Sequence, residues 1–213
     1  MNNMTSTGTL HIFEEKLNTI THGIGTVLCI PAFIFLIIHG VNSGDPFRII
    51  GFCIFGLSLT TLFLSSTLFH GVENSTLKKI FRRLDHSAIF LLIAGTYTPV
   101  ILISIRTIEG YSMFAIVWLL SIIGIFQKIF WFGKWKKWTI IPYLIMGWMA
   151  LILIKPMLVA IPLSAFILLL TGGIVYSVGA LFYSWESLKY HHTIWHLFVL
   201  TGSSLHYSAM YLF

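Results

Sequence analysis

Long apolar stretches, separated by short polar segments, follow one another along most of the chain. A helix that crosses a bilayer needs about 20 mostly apolar residues. The stretches that approach this length predict seven transmembrane helices, at Ile20–His39, Phe47–His70, His86–Ile105, Ser112–Trp131, Thr139–Ile154, Leu158–Ser184 and Thr193–Phe213. The pattern therefore predicts an all-α, polytopic membrane protein, with a short N-terminal segment at 1–19 and a single seven-helix domain at 20–213.

The composition agrees with this fold class. Hydrophobic residues make up 57% of the chain and charged residues 9%, and the mean hydropathy is +0.89. Soluble domains carry about 25% charged residues. The formal net charge of +6 could indicate nucleic acid. However, the basic residues lie in short loops beside aromatic residues, which is typical of topology signals and an interfacial belt. We expect no nucleic-acid partner.

Cys29 and Cys53 both lie inside apolar stretches, and the chain has no CxxC pattern. Neither a disulfide framework nor a thiolate metal site is indicated.

The distribution of Lys and Arg orients the predicted bundle, because basic loops stay on the cytoplasmic side. With the N-terminus inside, ten basic residues are internal: Lys16, Lys78, Lys79, Arg82, Arg83, Lys128, Lys134, Lys136, Lys137 and Lys189. Three are external: Arg48, Arg106 and Lys155. We therefore expect a multi-pass protein of the cell membrane, with a cytoplasmic N-terminus and the C-terminus outside.

Two histidines open the last apolar stretch. His192 and His196 lie four residues apart, so on a helix they share one face and can share a metal ion. On the predicted topology, His70 ends the second stretch at the same inner depth, and Asp85 begins the third there. Ionisable groups at membrane depth are costly to bury and indicate function. Three neutral imidazoles with an open fourth position are typical of catalytic zinc sites, although iron or nickel stays open.

Asp85 and Ser66 complete the predicted site. Asp85 could hold the water at the metal and act as general base, or it could be the N-cap of the third helix. Ser66 lies one turn before His70 and could orient a ligand histidine or stabilise an oxyanion. It could also be a small residue that packs between helices. Without a metal, the histidines would be a polar cluster at headgroup depth.

Two further histidines are predicted outside the ligand set. For His22, at the inner mouth of the first stretch, a structural hydrogen bond to a neighbouring helix is favoured over a role as fourth ligand. His206 lies roughly 20 Å beyond His192 along a helix axis, too far for the same metal. A polar packing contact or a place in a second cavity is expected for His206.

Several segments together resemble the hemolysin III family, the bacterial branch of the progestin and adipoQ receptors, more distantly related to the alkaline ceramidases. The resemblance covers essentially the whole chain. The matching segments are Glu15 with Asn18-Thr19-Ile20-Thr21-His22-Gly23, Ser66-Thr67-Leu68-Phe69-His70, Leu84-Asp85-His86-Ser87, Gly95-Thr96-Tyr97-Thr98-Pro99 and His192-Thr193-Ile194-Trp195-His196-Leu197-Phe198.

The resemblance implies a seven-helix fold with a cytoplasmic N-terminus and a zinc ion near the inner leaflet. In the adiponectin receptors, the positions matching His70, His192 and His196 bind zinc, and the position matching Asp85 holds its water. The position matching Ser66 belongs to the same shared pattern.

The residues and the resemblance together favour a zinc-dependent, ceramidase-like hydrolase of a lipid amide or ester bond, with a membrane lipid as substrate. The alternative is a cytolysin or channel-like protein in which zinc is structural. A sensor of membrane lipid state would use the same cavity without turnover.

Overall fold

The protein is all-helical in the part of the chain that the structure describes. The structure, a computed structural model, covers residues 2–133 and 140–213, with side chains described from residue 12 onward. The α-helices are α1 (Asn2–Ser43), α2 (Pro46–Gly71), α3 (Ser75–Pro99), α4 (Ile108–Phe130), α5 (Ile141–Trp148), α6 (Ile154–Ala160), α7 (Leu163–Ser184) and α8 (His191–Met210). A π-helical segment, Val100–Ser104, extends α3, and a 3-10 segment, Met149–Leu153, joins α5 to α6.

Within the described ranges, six helical segments are long and apolar enough to cross a membrane. They are Ile12–Ser43, Pro46–Gly71, Ser75–Ser104, Ile108–Phe130, Ile141–Ala160 and Leu163–Ser184. Large apolar side chains also cover their outer faces; Val27 is 66% exposed and Leu181 70% exposed. Such surfaces require lipid contact, so this is a multi-pass membrane protein.

The last helix, α8, is 20 residues long but is not among these six segments. Its histidine and hydroxyl side chains lower its mean hydropathy. The count of seven crossings and the orientation of the termini therefore stay predictions.

The helices α1, α2, α7 and α8 pack closely, and glycine permits the approach at two points. A Cβ atom added at Gly25 of α1 would lie 2.6 Å from Cδ1 of Phe63 on α2. A Cβ atom at Gly179 of α7 would lie 2.6 Å from Cβ of Phe198 on α8. A larger residue at either position would force the facing phenylalanine to move, so glycine allows the two helices to lie close together. Helix α8 also packs on α1. The last turn of α2 meets the start of α8, where the ring centroid of His70 lies 5.0 Å from those of His192 and His196.

The first predicted stretch, Ile20–His39, is the centre of a longer helix. From Asn2 onward, the predicted N-terminal segment at 1–19 is continuous with α1. No proline interrupts residues 2–19, so a polar sequence can continue the helix beyond the apolar part. Hydropathy marks where a helix is apolar, not where it begins.

The prediction that Asp85 begins or caps the third helix is wrong. The N-cap of α3 is Asn74, whose Oδ1 accepts hydrogen bonds from the backbone N–H groups of Thr76 (3.0 Å) and Leu77 (3.1 Å). Asp85 lies eleven residues after Asn74, inside the helix. The basic turns from Lys78 onward resemble a loop by hydropathy, yet they are helical.

The predicted outer loop between the fifth and sixth stretches is also misplaced. Lys155 lies inside α6, and the chain turns instead at Ile161 and Pro162. Pro156 is the third residue of α6, in the first turn, where its missing N–H leaves no intrahelical hydrogen bond unmade. Pro156 is therefore compatible with the start of α6 and does not mark the end of the apolar segment Ile141–Ala160.

Some predicted features lie outside the described residues. They are Thr139, the start of the fifth predicted stretch, and the basic and aromatic residues Lys134, Trp135, Lys136, Lys137 and Trp138.

Candidate metal centre

Three histidines from two helices meet in the interior of the protein. His70 lies in the last turn of α2, and His192 and His196 lie one turn apart near the start of α8. One ring nitrogen of each lies within 4.8 Å of the corresponding atoms of the other two. Among the described residues, this is the one group of three or more His, Cys, Asp or Glu side chains with such spacing. The three donors are close enough to converge on one metal ion.

The hydrogen bonding of His70 suits a metal ligand. Its Nδ1 lies 3.1 Å from Oε1 of Glu15 on α1, while Nζ of Lys78 donates to Oε2 of the same carboxylate at 2.5 Å. An ionised carboxylate only accepts, so Nδ1 of His70 carries the hydrogen. The other nitrogen, Nε2, is buried without a hydrogen-bond partner in the described structure. A free Nε2 opposite a carboxylate-bound Nδ1 is the arrangement found in metal-bound histidines.

A second contact from α1 orients His196. The Nδ1 atom of His196 lies 3.3 Å from the carbonyl oxygen of Asn18 and 3.2 Å from Oγ1 of Thr21. The side chain of Asn18 accepts a hydrogen bond from Oγ1 of Thr193, at 2.6 Å, which ties α1 to α8. Donation from Nδ1 to a carbonyl leaves Nε2 as the metal-binding atom.

The positioning contacts of Glu15 and Asn18 were not among the predicted site roles. With His22 they follow an i, i+3, i+7 spacing, which places all three on one face of α1. This spacing could have identified the two residues as part of the site, because it indicates a polar face of α1 directed at the interior of an otherwise apolar bundle.

Ser66 and Asp85 line the same cavity as His192 and His196. Ser66 is 1% exposed, and its hydroxyl has no partner in the described structure. By contrast, the adjacent Ser65 hydroxyl donates to the carbonyl oxygen of Leu62 at 3.1 Å. Ser66 is therefore a cavity-lining residue whose hydroxyl is buried and unpaired among the described residues.

The carboxylate of Asp85 is not one of the donors in the three-histidine group. Its Oδ2 lies 3.4 Å from Nδ1 of His86, a nitrogen that also lies 2.9 Å from the carbonyl oxygen of Arg82. Asp85 thus stands beside the group, where it can act on a molecule bound there rather than complete the ligand set.

The two histidines predicted outside the ligand set differ in their contacts. The structural hydrogen bond predicted for His22 is absent: neither ring nitrogen has a partner among the described residues, although the side chain is 3% exposed. The ring of His22 stacks instead on the ring of His196. His206 makes the predicted packing contact, with Nε2 3.1 Å from the carbonyl oxygen of Leu169.

The histidine group lies between two different spaces. One is a largely apolar cavity of 220 Å³ that extends from His196 to Met157 and His206. The other is a polar vestibule of 510 Å³, whose lining includes Glu15, Lys78, Lys79 and Arg82. Of the three histidines, His70 lines the vestibule, His196 the cavity and His192 both.

These observations define a class: a helical, multi-pass membrane protein with a three-histidine group beside a largely apolar cavity. The family model described as Haemolysin-III related matches residues 10–207. The chain therefore belongs to the hemolysin III family, which confirms the resemblance drawn from its sequence segments.

Similar proteins agree with this assignment. Hemolysin-3 of Bacillus cereus is 48% identical over 197 residues, which is 92% of this chain and 90% of the relative. The hemolysin-3 homolog of Bacillus subtilis (strain 168) is 47% identical over 193 residues, 91% of each chain. The human monocyte to macrophage differentiation factor is 28% identical over 207 residues, 93% of this chain and 84% of the relative. The comparison with solved structures found no significant match.

Proposed function

We propose that this protein is a zinc-dependent hydrolase that cleaves an amide or ester bond in a membrane lipid. The observation that carries the proposal is the position of the histidine group between an apolar cavity and a polar vestibule. A lipid whose chain fills the cavity brings its polar junction to the histidines, while water reaches them from the vestibule. Hydrolysis of a lipid requires both.

The donor set fits zinc. Three imidazoles without a thiolate suit zinc, and the free Nε2 of His70 lacks any other partner in the described structure. A zinc ion held by His70, His192 and His196 would polarise the substrate carbonyl and lower the pKa of water at the site. Glu15 and Asn18 contribute by holding the rings of His70 and His196 in the required tautomer and orientation.

The remaining residues supply proton transfer and charge stabilisation. The carboxylate of Asp85 accepts a proton from the attacking water, whose oxygen bonds to the carbonyl carbon. The hydroxyl of Ser66 donates a hydrogen bond to the carbonyl oxygen as it gains negative charge. When the C–N or C–O bond breaks, Asp85 returns the proton to the leaving amine or alcohol, and a fatty acid is the second product.

In the same proposal α8 is the seventh crossing, with the N-terminus in the cytoplasm. The excess of basic residues on that side supports this orientation. The histidine group and the vestibule then face the inner leaflet.

A cytolysin with a structural metal is the second candidate, because a relative 48% identical to this chain is named Hemolysin-3. The Asp85→Asn variant separates the two functions. In the hydrolase it abolishes turnover while the metal stays bound, whereas lysis of erythrocytes by a metal-stabilised cytolysin would be unchanged.

The test is release of fatty acid by the zinc-loaded protein in detergent from a panel of N-acyl amides and acyl esters. We expect turnover in the wild type, no turnover in Asp85→Asn, and a kcat lower by about 10²–10³ in Ser66→Ala. The matched control is Ser65→Ala, because the Ser65 hydroxyl is bonded to its own helix. Absence of turnover on the whole panel, with one zinc per chain present, would contradict the proposal.

A further inference from the structure

His22 is a buried imidazole without a hydrogen-bond partner among the described residues. It lies on α1 between Phe63 of α2, with ring centroids 5.0 Å apart, and His196 of α8. Both ring nitrogens are buried, and neither has a hydrogen-bond partner among the described residues. Buried polar groups are nearly always hydrogen-bonded, and an exception needs a specific reason.

The stacking geometry argues against His22 as a fourth ligand of the same ion. The rings of His22 and His196 are almost parallel, with an interplanar angle of 11° and centroids 3.6 Å apart. A metal ion bound by an imidazole lies close to the plane of that ring. An ion in the plane of His196 would therefore lie well out of the plane of His22. The nitrogens of His22 remain available to another molecule.

The cavity is where such a molecule would lie. His22 lines it together with Ser66, whose hydroxyl is also unpaired, and Asp85. The polar atoms without protein partners are thus gathered at the end of the cavity beside the metal-binding histidines. Further along the cavity, the hydroxyl of Tyr176 bonds to Ser203, and Nε2 of His206 bonds to the carbonyl oxygen of Leu169.

We propose that His22 is a ligand-contacting residue, which with Ser66 holds the carbonyl group of the acyl chain that fills the cavity. A neutral imidazole offers one donor and one acceptor. The donor nitrogen of His22 and the hydroxyl of Ser66 both donate to the carbonyl oxygen, and the acceptor nitrogen receives a hydrogen bond from water at the site. The chemistry of the ligand rests on the proposed function, but the binding requires no turnover.

The experiment measures ligand binding and zinc separately. The probe is the N-methylamide of 12-bromododecanoic acid, whose bromine quenches the fluorescence of Trp148 and Trp195, both of which line the cavity. His22→Leu replaces the imidazole with an apolar side chain, and His22→Gln restores a donor and an acceptor. The control is Thr26→Val, one turn along α1, where the hydroxyl donates to the His22 carbonyl oxygen.

We expect His22→Leu to keep one zinc per chain and to weaken probe binding about tenfold or more. His22→Gln should recover most of the affinity, and Thr26→Val should match the wild type. Wild-type affinity in His22→Leu would overturn the proposal, and so would loss of zinc in both His22 variants, which would make His22 a ligand. Probe binding that depends on His22, together with no turnover on the whole panel of amides and esters, would support this proposal and overturn the hydrolase.

Discussion

The Oε1 atom of Glu15 lies 3.1 Å from Nδ1 of His70, which links the first helix directly to a candidate metal ligand. This contact engages Nδ1 and leaves Nε2 free in a ring that lies against those of His192 and His196. Partners of this kind affect metal affinity by about 10- to 100-fold when removed.

We therefore expect Glu15→Ala to bind zinc about 10- to 100-fold more weakly than the wild type, as measured by competition with a fluorescent chelator. The control is Glu14→Ala, since Glu14 is the adjacent residue of the same type and its Oε1 has no hydrogen-bond partner among the described residues. Equal zinc affinities for Glu15→Ala and the wild type would show that the contact does not position His70.

Lys78 is expected to matter less than Glu15, although its Nζ lies 2.5 Å from the Glu15 carboxylate. The Lys78 side chain is 34% exposed, so solvent screens this part-buried pair, and ion pairs at a surface contribute only about 0–1 kcal/mol. The same chelator competition should show less than about a fivefold loss of zinc affinity in Lys78→Met. A tenfold or greater loss of zinc affinity would contradict this expectation and would mean that the charge of Lys78 is needed to keep Glu15 ionised.

The capping of α3 gives a prediction about stability. Asn74 accepts two backbone hydrogen bonds at the start of this helix, so Asn74→Ala should destabilise the protein by about 1 kcal/mol. A thermal melt in detergent measures the effect, with Ser75→Ala as the control. An Asn74→Ala variant as stable as the wild type would contradict the assignment of Asn74 as the cap of α3.

The sequence predicted the fold class because an apolar run of about 20 residues has few stable structures other than a membrane helix. It misplaced boundaries where a helix continues beyond its apolar part. The polar start of α1 and the basic start of α3 both extend past the predicted spans, so Asp85 was placed at a helix end when it lies inside α3. Hydropathy does not report the hydrogen-bonded ends of helices.

At the site, helical spacing and membrane depth were enough to group His192 and His196 with His70. The role of α1 could not be derived in the same way, because contacts between helices depend on how each helix is rotated about its axis. The carboxylate of Glu15 opposite His70, and the ring of His22 stacked on His196, are consequences of that rotation.

The central claim, a zinc ion held by three histidines, is tested most directly by metal content. Zinc should be measured by elemental analysis on protein purified in detergent without chelator, comparing the wild type with His196→Ala. The control is His191→Ala, in the first turn of the same helix but outside the ligand group. We predict about one zinc per chain in the wild type and the control, and a loss of zinc in His196→Ala. Equal metal content in all three proteins, or no metal in any, would contradict the account.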